Sequence, residues 1–478
     1  MKRFLALATA VVFVLGFAAI GFAANLDVTG GGTGLKIEGY YMIKGVAQNN
    51  ADLGGEDVNN TDPLMPGFDP TAEGWSDDHK DHKNFIYQRV RVGMGFVVSE
   101  DATVNVRADI AEGNFDGTAN TKGDDTANEI DVDLAWLTLN ALGFTWDIGL
   151  QPSTWGNGFW VQGATADRIK MTKSLDNGMK VGFHYTKVDE TLAASGGEDV
   201  DGYTPFIVIP VGEGKLSALY VMQEDHGNPT TCANPLHCTA TERGKDGSVM
   251  DIAYAGKAGP VNIAAEYIQM SGEGFETYDY GIGNLEDPMG FFVAVNMDVT
   301  DAINIGFAYA TAANGYVADD NFSPTLMFGT DTSPNALFNF GGTTITANTA
   351  ALCAEAVAAG DFASVTECKQ YNRGDDSTTG MVLSGKFKIS DDLSAGANIA
   401  QANLWNFQAC MDALCMLKTK EYSMDVLEID LYANYKLATN TNLYVGYARA
   451  MPDMDVDPGT TLKDDPITTA AWSLKTSF

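Results

Sequence analysis

The chain predicts an all-β fold, a transmembrane antiparallel β-barrel of about 18 strands. Three observations carry that prediction. The chain opens on a secretory leader, apolar residues recur at every second position, and its connections alternate between short and long.

The leader comes first. Lys2 and Arg3 precede an apolar run from Phe4 to Ile20, and Gly21-Phe22-Ala23-Ala24 follow. A basic start, a short apolar core and small residues at the exit describe a secretory signal peptide. Cleavage is expected after Ala23, so residues 1–23 are read as signal peptide and 24–478 as one barrel domain. No later stretch approaches the ~20 consecutive apolar residues that a membrane-spanning helix requires.

Alternation with period two dominates the rest. Leu35, Ile37, Tyr41 and Ile43 are apolar, with Lys36, Glu38 and Lys44 between them. Ile86, Val90, Val92, Met94 and Phe96 come next, then Val104, Val106 and Ile110 against Asn105, Arg107 and Asp109. Ile130, Val132, Leu134 and Trp136 follow, set against Glu129, Asp131 and Asp133. Later copies include Ile303, Ile305, Phe307 and Tyr309, and Leu427, Ile429 and Leu431. Side chains of a strand point alternately to opposite faces, so each segment has one apolar face and one polar or small face.

A soluble sandwich shows the same local alternation. The connections separate the two readings. Tight turns are expected near 99–101, 141–143, 176–178, 212–214, 258–260, 300–301, 390–392 and 439–440. Long polar stretches lie between them at 47–83, 112–128, 152–164, 189–203, 224–246, 272–287, 312–376, 405–420 and 451–466. Outer-membrane barrels sort their connections in this way, with short turns on one rim and long loops on the other. Nine long and eight short connections give 18 strands and put both termini on the short-turn rim. Pro205 and Pro210 interrupt one segment and leave 16 as the alternative. Closure follows because an open sheet edge cannot satisfy its backbone groups in lipid.

The last strand, about Ile467 to Phe478, directs Thr468, Ala470, Trp472, Leu474, Thr476 and Phe478 outward. Tyr40, Tyr41, Trp136, Phe144, Trp146, Tyr309, Tyr435, Tyr447 and Trp472 fall near strand ends, where aromatic girdles meet lipid headgroups.

Charge and cysteine bound the partners. The formal net charge is −34, and removing Lys2 and Arg3 makes it −34 − 2 = −36. Nucleic acid is excluded as a partner, because its phosphates are repelled. Acidic loops of this kind face water or bind a divalent cation; no other cofactor is expected. The first long loop carries Asp77-Asp78-His79-Lys80-Asp81-His82, where the lysine among the acids favours solvated surface over a metal site. The six cysteines form local pairs, Cys232 with Cys238, Cys353 with Cys368 and Cys410 with Cys415. In an exported chain these read as candidate disulfides, with free thiols as the alternative. An alanine-rich run from Ala350 to Ala359, ended by Gly360, reads as a short helix. Gly30 to Lys36 has the wrong spacing for a phosphate-binding loop, and five histidines assemble no Ser-His-Asp set.

If the apolar faces meet lipid, the others surround the interior. Arg89, Arg91, Arg107 and Asp109 are then interior-facing, with Asp131 and Asp133 on the next strand and Arg168 and Lys170 after the third long loop. A charge on the lipid face at mid-membrane costs ~2–4 kcal/mol, so these groups belong inside. Basic residues opposite carboxylates make a transverse field that filters solutes; mutually paired wall residues are the alternative reading.

Three stretches carry family resemblances. Gly149 to Trp160, with its glycines and aromatics, resembles the third-loop region of general porins, where a loop folds inward and narrows the channel. By that likeness Trp155 and Phe159 belong to the constriction; an outward, aromatic-rich trimer contact is the alternative reading of the same segment. The aromatic Phe478 after alternating apolar positions resembles the terminal signature of bacterial outer-membrane proteins, which implies recognition by the barrel assembly machinery. The stretch from Gln88 to Asp109 resembles an early hairpin of the homotrimeric porins of sulfate-reducing and metal-reducing bacteria. That resemblance implies a homotrimer, outer-membrane lipids and lipopolysaccharide as surroundings, and passive diffusion of small hydrophilic solutes and ions through a Gram-negative outer membrane. An outer-membrane hydrolase and a sheath for an electron-transfer partner are the alternatives; a non-enzyme is expected.

Overall fold

The computed structural model describes residues 34–49, 82–114, 130–189, 199–225, 246–272, 277–278, 285–314, 316, 318–319, 322–327, 378–410, 419–455 and 466–478. The first eleven strands are β1 (Gly34–Asn49), β2 (His82–Ser99), β3 (Ala102–Asn114), β4 (Asp131–Ala141), β5 (Phe144–Thr154), β6 (Gln162–Ser174), β7 (Lys180–Asp189), β8 (Val200–Val211), β9 (Gly214–Asp225), β10 (Gly247–Ala258) and β11 (Val261–Ser271). A two-residue hairpin, β12 (Thr277–Tyr278) with β13 (Leu285–Glu286), interrupts the next connection. Then come β14 (Met289–Thr300), β15 (Ile303–Ala313), β16 (Thr378–Lys388), β17 (Leu393–Cys410), β18 (Thr419–Ala438), β19 (Thr441–Asp455) and β20 (Ile467–Ser477).

Apart from that hairpin, each strand pairs antiparallel with its chain neighbours, and β20 pairs with β1. The result is a closed barrel of 18 strands, with no free edge. The prolines do not remove a strand. Pro205 faces Phe183 of β7, while the β8–β9 ladder passes from Tyr203–Met222 to Phe206–Leu219 without pairing residues 204 and 205. A missing proline N–H is tolerated where no ladder bond is asked of it.

The outward positions form an apolar band. Phe96, Ile169, Ile252, Phe307, Leu383 and Leu431 lie between 39% and 58% exposed, on strands spread around the barrel. Each hydrophobic side chain is matched by an apolar cross-strand neighbour, as in Phe307 opposite Leu383 and Leu383 opposite Ile399.

The closing seam is built at the chain's end. Phe478 exchanges two backbone hydrogen bonds with Gly39, each 2.9 Å, and its ring covers the space a side chain at Gly39 would fill. Trp472 pairs with Gly45 and lays its indole over that glycine in the same way. The glycines let both rings lie flat against the sheet.

Strict alternation fails on β4. Arg107 faces Leu134 and Ala108 faces Val132, so Asp133 is the extra residue of a β-bulge. Ile130 and Val132 stay outward and exposed, but beyond the bulge the parity inverts. Leu134, 1% exposed, and Trp136 turn inward, against the sequence expectation. Trp136 therefore leaves the outer girdle; its Nε1 donates to Thr138 Oγ1 at 3.2 Å, and Thr138 donates to Asp147 at 2.7 Å.

Candidate functional site

The interior is polar along β2–β7. Arg91 grips Asp109 with two hydrogen bonds, 2.7 Å from Nε and 2.6 Å from Nη2, and also meets Asp133 at 3.1 Å. Arg107 holds Asp133 through Nε at 2.9 Å and Nη2 at 2.7 Å. Arg89 binds Glu112, which also accepts from the Tyr87 hydroxyl at 2.5 Å. Fork-shaped guanidinium contacts of this kind are the strong ion pairs. Glu112 reaches this face because Ile110 is the extra residue of a second bulge, between the Val90–Ala111 and Arg91–Asp109 pairs. Plain alternation from Asp109 would have sent Glu112 outward. Asp131, opposite Asp109 in the ladder, shares the inner face.

The connection between β5 and β6 folds into the barrel. Glu266, inward on β11, accepts the backbone N–H groups of Asn157, Phe159 at 3.3 Å and Trp160 at 3.1 Å. Asn157 also donates its amide to the carbonyl of Ala265 at 2.7 Å. Gly156, at φ +56, lies where a Cβ would strike Glu266 and Ala253. A glycine is thus required both by conformation and by the close approach.

Phe159 is fully buried, at 0% exposure. Its ring packs on Phe292, Tyr316 and Phe322, with centroids 5.8, 5.3 and 4.7 Å away. Phe159 lies inside the barrel as the loop's buried attachment, because aromatic area this large is most stable out of water. Tyr316 donates its hydroxyl to the Phe159 carbonyl at 3.0 Å. Burial, with the Glu266, Asp251 and Asp319 carboxylates nearby, raises the Tyr316 phenol well above its usual pKa, so it remains a donor.

A second segment enters as well. Thr325 donates to Glu428 at 2.7 Å, Met327 N–H to Glu428 at 3.0 Å and Leu326 N–H to Asp430 at 3.2 Å. Glu428 stands opposite Ala400 in the β17–β18 ladder, and the inward alanines of this wall, Ala310, Ala400 and Ala402, are all buried. Glu266 stands 266 − 261 = 5 residues up β11 and Glu428 stands 438 − 428 = 10 residues up β18. With ~3.4 Å rise per residue and ~40° tilt, these are roughly 13 and 26 Å from the short-turn rim. One segment thus narrows the barrel at mid-height and the other near the long-loop end.

Trp155 lies beside β7. Its ring stacks on His184 at 5.4 Å and 18°, and meets Phe206 at 5.1 Å. Arg168 and Lys170, inward on β6, sit opposite Thr186 and His184. Arg168 Nε donates to Thr186 at 3.2 Å, and Lys170 approaches Asp147 at 3.8 Å. The wall stays wet here: Lys170 keeps 35% of its side chain exposed, and Arg89, Arg91 and Arg107 keep 21–27%.

Alternation brought Arg89, Arg91, Arg107, Asp109, Asp131, Asp133, Arg168 and Lys170 to one interior. It did not single out Glu266, Glu428 or Asp430, whose partners lie about a hundred residues away in sequence. Residues 1–23, Asp77 to Asp81 of the first-loop cluster, the run 350–360 and Cys232, Cys238, Cys353, Cys368 and Cys415 lie outside the described residues, and His82 is described by its backbone alone, as the first residue of β2. Cys410 is described by its backbone alone, as the last residue of β17.

The fold places the chain among closed antiparallel barrels of 18 strands. No family model matches it, and no curated protein matches it. Among solved structures it is similar to the outer membrane channel DcaP of Acinetobacter baumannii, with 12% identity, TM-score 0.41 and 94% of this chain and 99% of that one covered. It is also similar to an anion-selective porin from Comamonas acidovorans, with 9% identity, TM-score 0.41 and coverage of 93% and 100%. A third similar structure is Pseudomonas aeruginosa OccK2 in complex with glucuronate, with 7% identity, TM-score 0.48 and coverage of 93% and 98%.

Proposed function

We propose that the chain is a porin of a Gram-negative outer membrane, a channel through which small hydrophilic solutes and ions diffuse. The observation that carries the reading is the barrel's inversion: large apolar side chains outside, paired charges inside. In water an apolar band of this extent is an aggregation surface, whereas in lipid it is the stable arrangement. Exposure of Lys170 and of the arginines inside supports a wet path along β2–β7 rather than a filled core. The inward segment held by Glu266 supports a size limit on what passes.

Residues 1–23 as a signal peptide, assembly through Phe478, contact with lipopolysaccharide, disulfides within the three local cysteine pairs and a homotrimer belong to the same proposal. A passive channel asks for no catalytic residue. Purified mature protein in a planar lipid bilayer tests it: discrete, ohmic conductance steps are expected. Folded protein that inserts and conducts nothing overturns it.

A further inference from the structure

The interior cations are not equivalent. Arg89, Arg91 and Arg107 are matched by Glu112, Asp109 and Asp133, with Asp131 on the same inner face, so that cluster leaves no cation unmatched. Arg168 has no carboxylate within ion-pair distance among the described residues; its one side-chain bond is to Thr186. The Lys170 contact with Asp147 is long, and Asp147 already accepts from Thr138.

His184 completes the set. It is 5% exposed, its Nδ1 lies 3.0 Å from Thr186 Oγ1, and its Nε2 has no partner. The Thr186 oxygen accepts from Arg168 Nε and also pairs with Nδ1, so both of its neighbours in the patch are nitrogen groups. Nε2 is left as a buried polar atom without a partner. Unpartnered buried polar atoms are costly, and two cations with so few carboxylates beside them favour an anion. Residues 168 and 170 face 186 and 184 across neighbouring strands, which puts the four side chains in one patch. Half-buried Trp155 supplies an aromatic face beside them.

We propose that Arg168, Lys170 and His184 form an anion-binding step beside the inward loop, taking the carboxylate of a small organic anion, with Trp155 beside its apolar part. The step rests on the channel reading above and names the solute class of that same path. Arg89, Arg91 and Arg107 are structural by comparison, because their charges are already spent on one another's partners.

Benzoate is the probe. Its block of single-channel current is measured for wild type, R168Q, R168K and K388Q, each first shown to be folded by heat-modifiable migration. K388Q removes a like charge at the short-turn rim, where Lys388 pairs with Asp391. Loss of a charged hydrogen bond raises the half-blocking benzoate concentration about tenfold in R168Q. R168K and K388Q are expected to stay within about threefold of wild type. Current steps that benzoate blocks equally in wild type and R168Q, or does not block at all, overturn the site while leaving the channel standing. No current steps from folded wild type overturn the channel reading and the site with it.

Discussion

Replacing Glu266 by Gln attacks the inward loop where it is held. Glu266 receives three backbone N–H groups, from Asn157, Phe159 and Trp160. A hydrogen bond to a charged acceptor contributes about 1.5–3 kcal/mol net. An amide keeps one acceptor oxygen and presents an NH2 group to the remaining donors, so the clamp weakens by about 2–4 kcal/mol. Phe159 stays buried, which contributes about 2–3 kcal/mol on its own. The undocked population therefore rises at least about tenfold, each 1.4 kcal/mol being a factor of ten. The loop nonetheless remains seated most of the time. Single-channel recording of Glu266→Gln should show an unchanged main step with added flicker. Adding Phe159→Ala removes both attachments, and the main step itself should grow. A folded double variant with wild-type conductance and noise would refute the assignment of this loop as the constriction.

Asp109→Ala leaves Arg91 only its 3.1 Å contact with Asp133 and should cost about 1.5–3 kcal/mol, read as a lower urea midpoint in detergent. Gly45→Leu drives a side chain into the Trp472 indole and should cost about 1–3 kcal/mol; the Trp472→Ala background should remove most of that penalty. Deleting Phe478 removes two seam hydrogen bonds and the ring over Gly39, and refolding yield into micelles should fall. Glu428→Ala strips the acceptor from Thr325 and Met327, and protease added from the long-loop side should then cut near 325–327 faster than in wild type.

Much of the barrel was legible in the residues. The outward set of the last strand, Thr468, Ala470, Trp472, Leu474, Thr476 and Phe478, follows from a period of two, and the observed cross-strand pairs keep it, with Leu474 opposite Ile43 and Trp472 opposite Gly45. The strand count followed from connection lengths, even across Pro205 and Pro210. β4 shows where such reading stops. One extra residue, Asp133, inverts every side chain beyond it, and no composition signal marks the bulge. Trp155 and Phe159 were drawn from one aromatic loop, yet the first stacks on the wall and the second is buried within a cluster.

Period-two alternation, the sorting of loop lengths and the terminal aromatic were decided by the sequence alone, because each is a local consequence of a strand having two faces. The interior was decided by tertiary structure. Closing the barrel brought Glu266 to the loop at 157–160 and Glu428 to the segment at 325–327, and it separated matched arginines from the unmatched Arg168. Those choices rest on which backbone donors and carboxylates meet across the barrel, a property of closure and bulge position that no single strand contains.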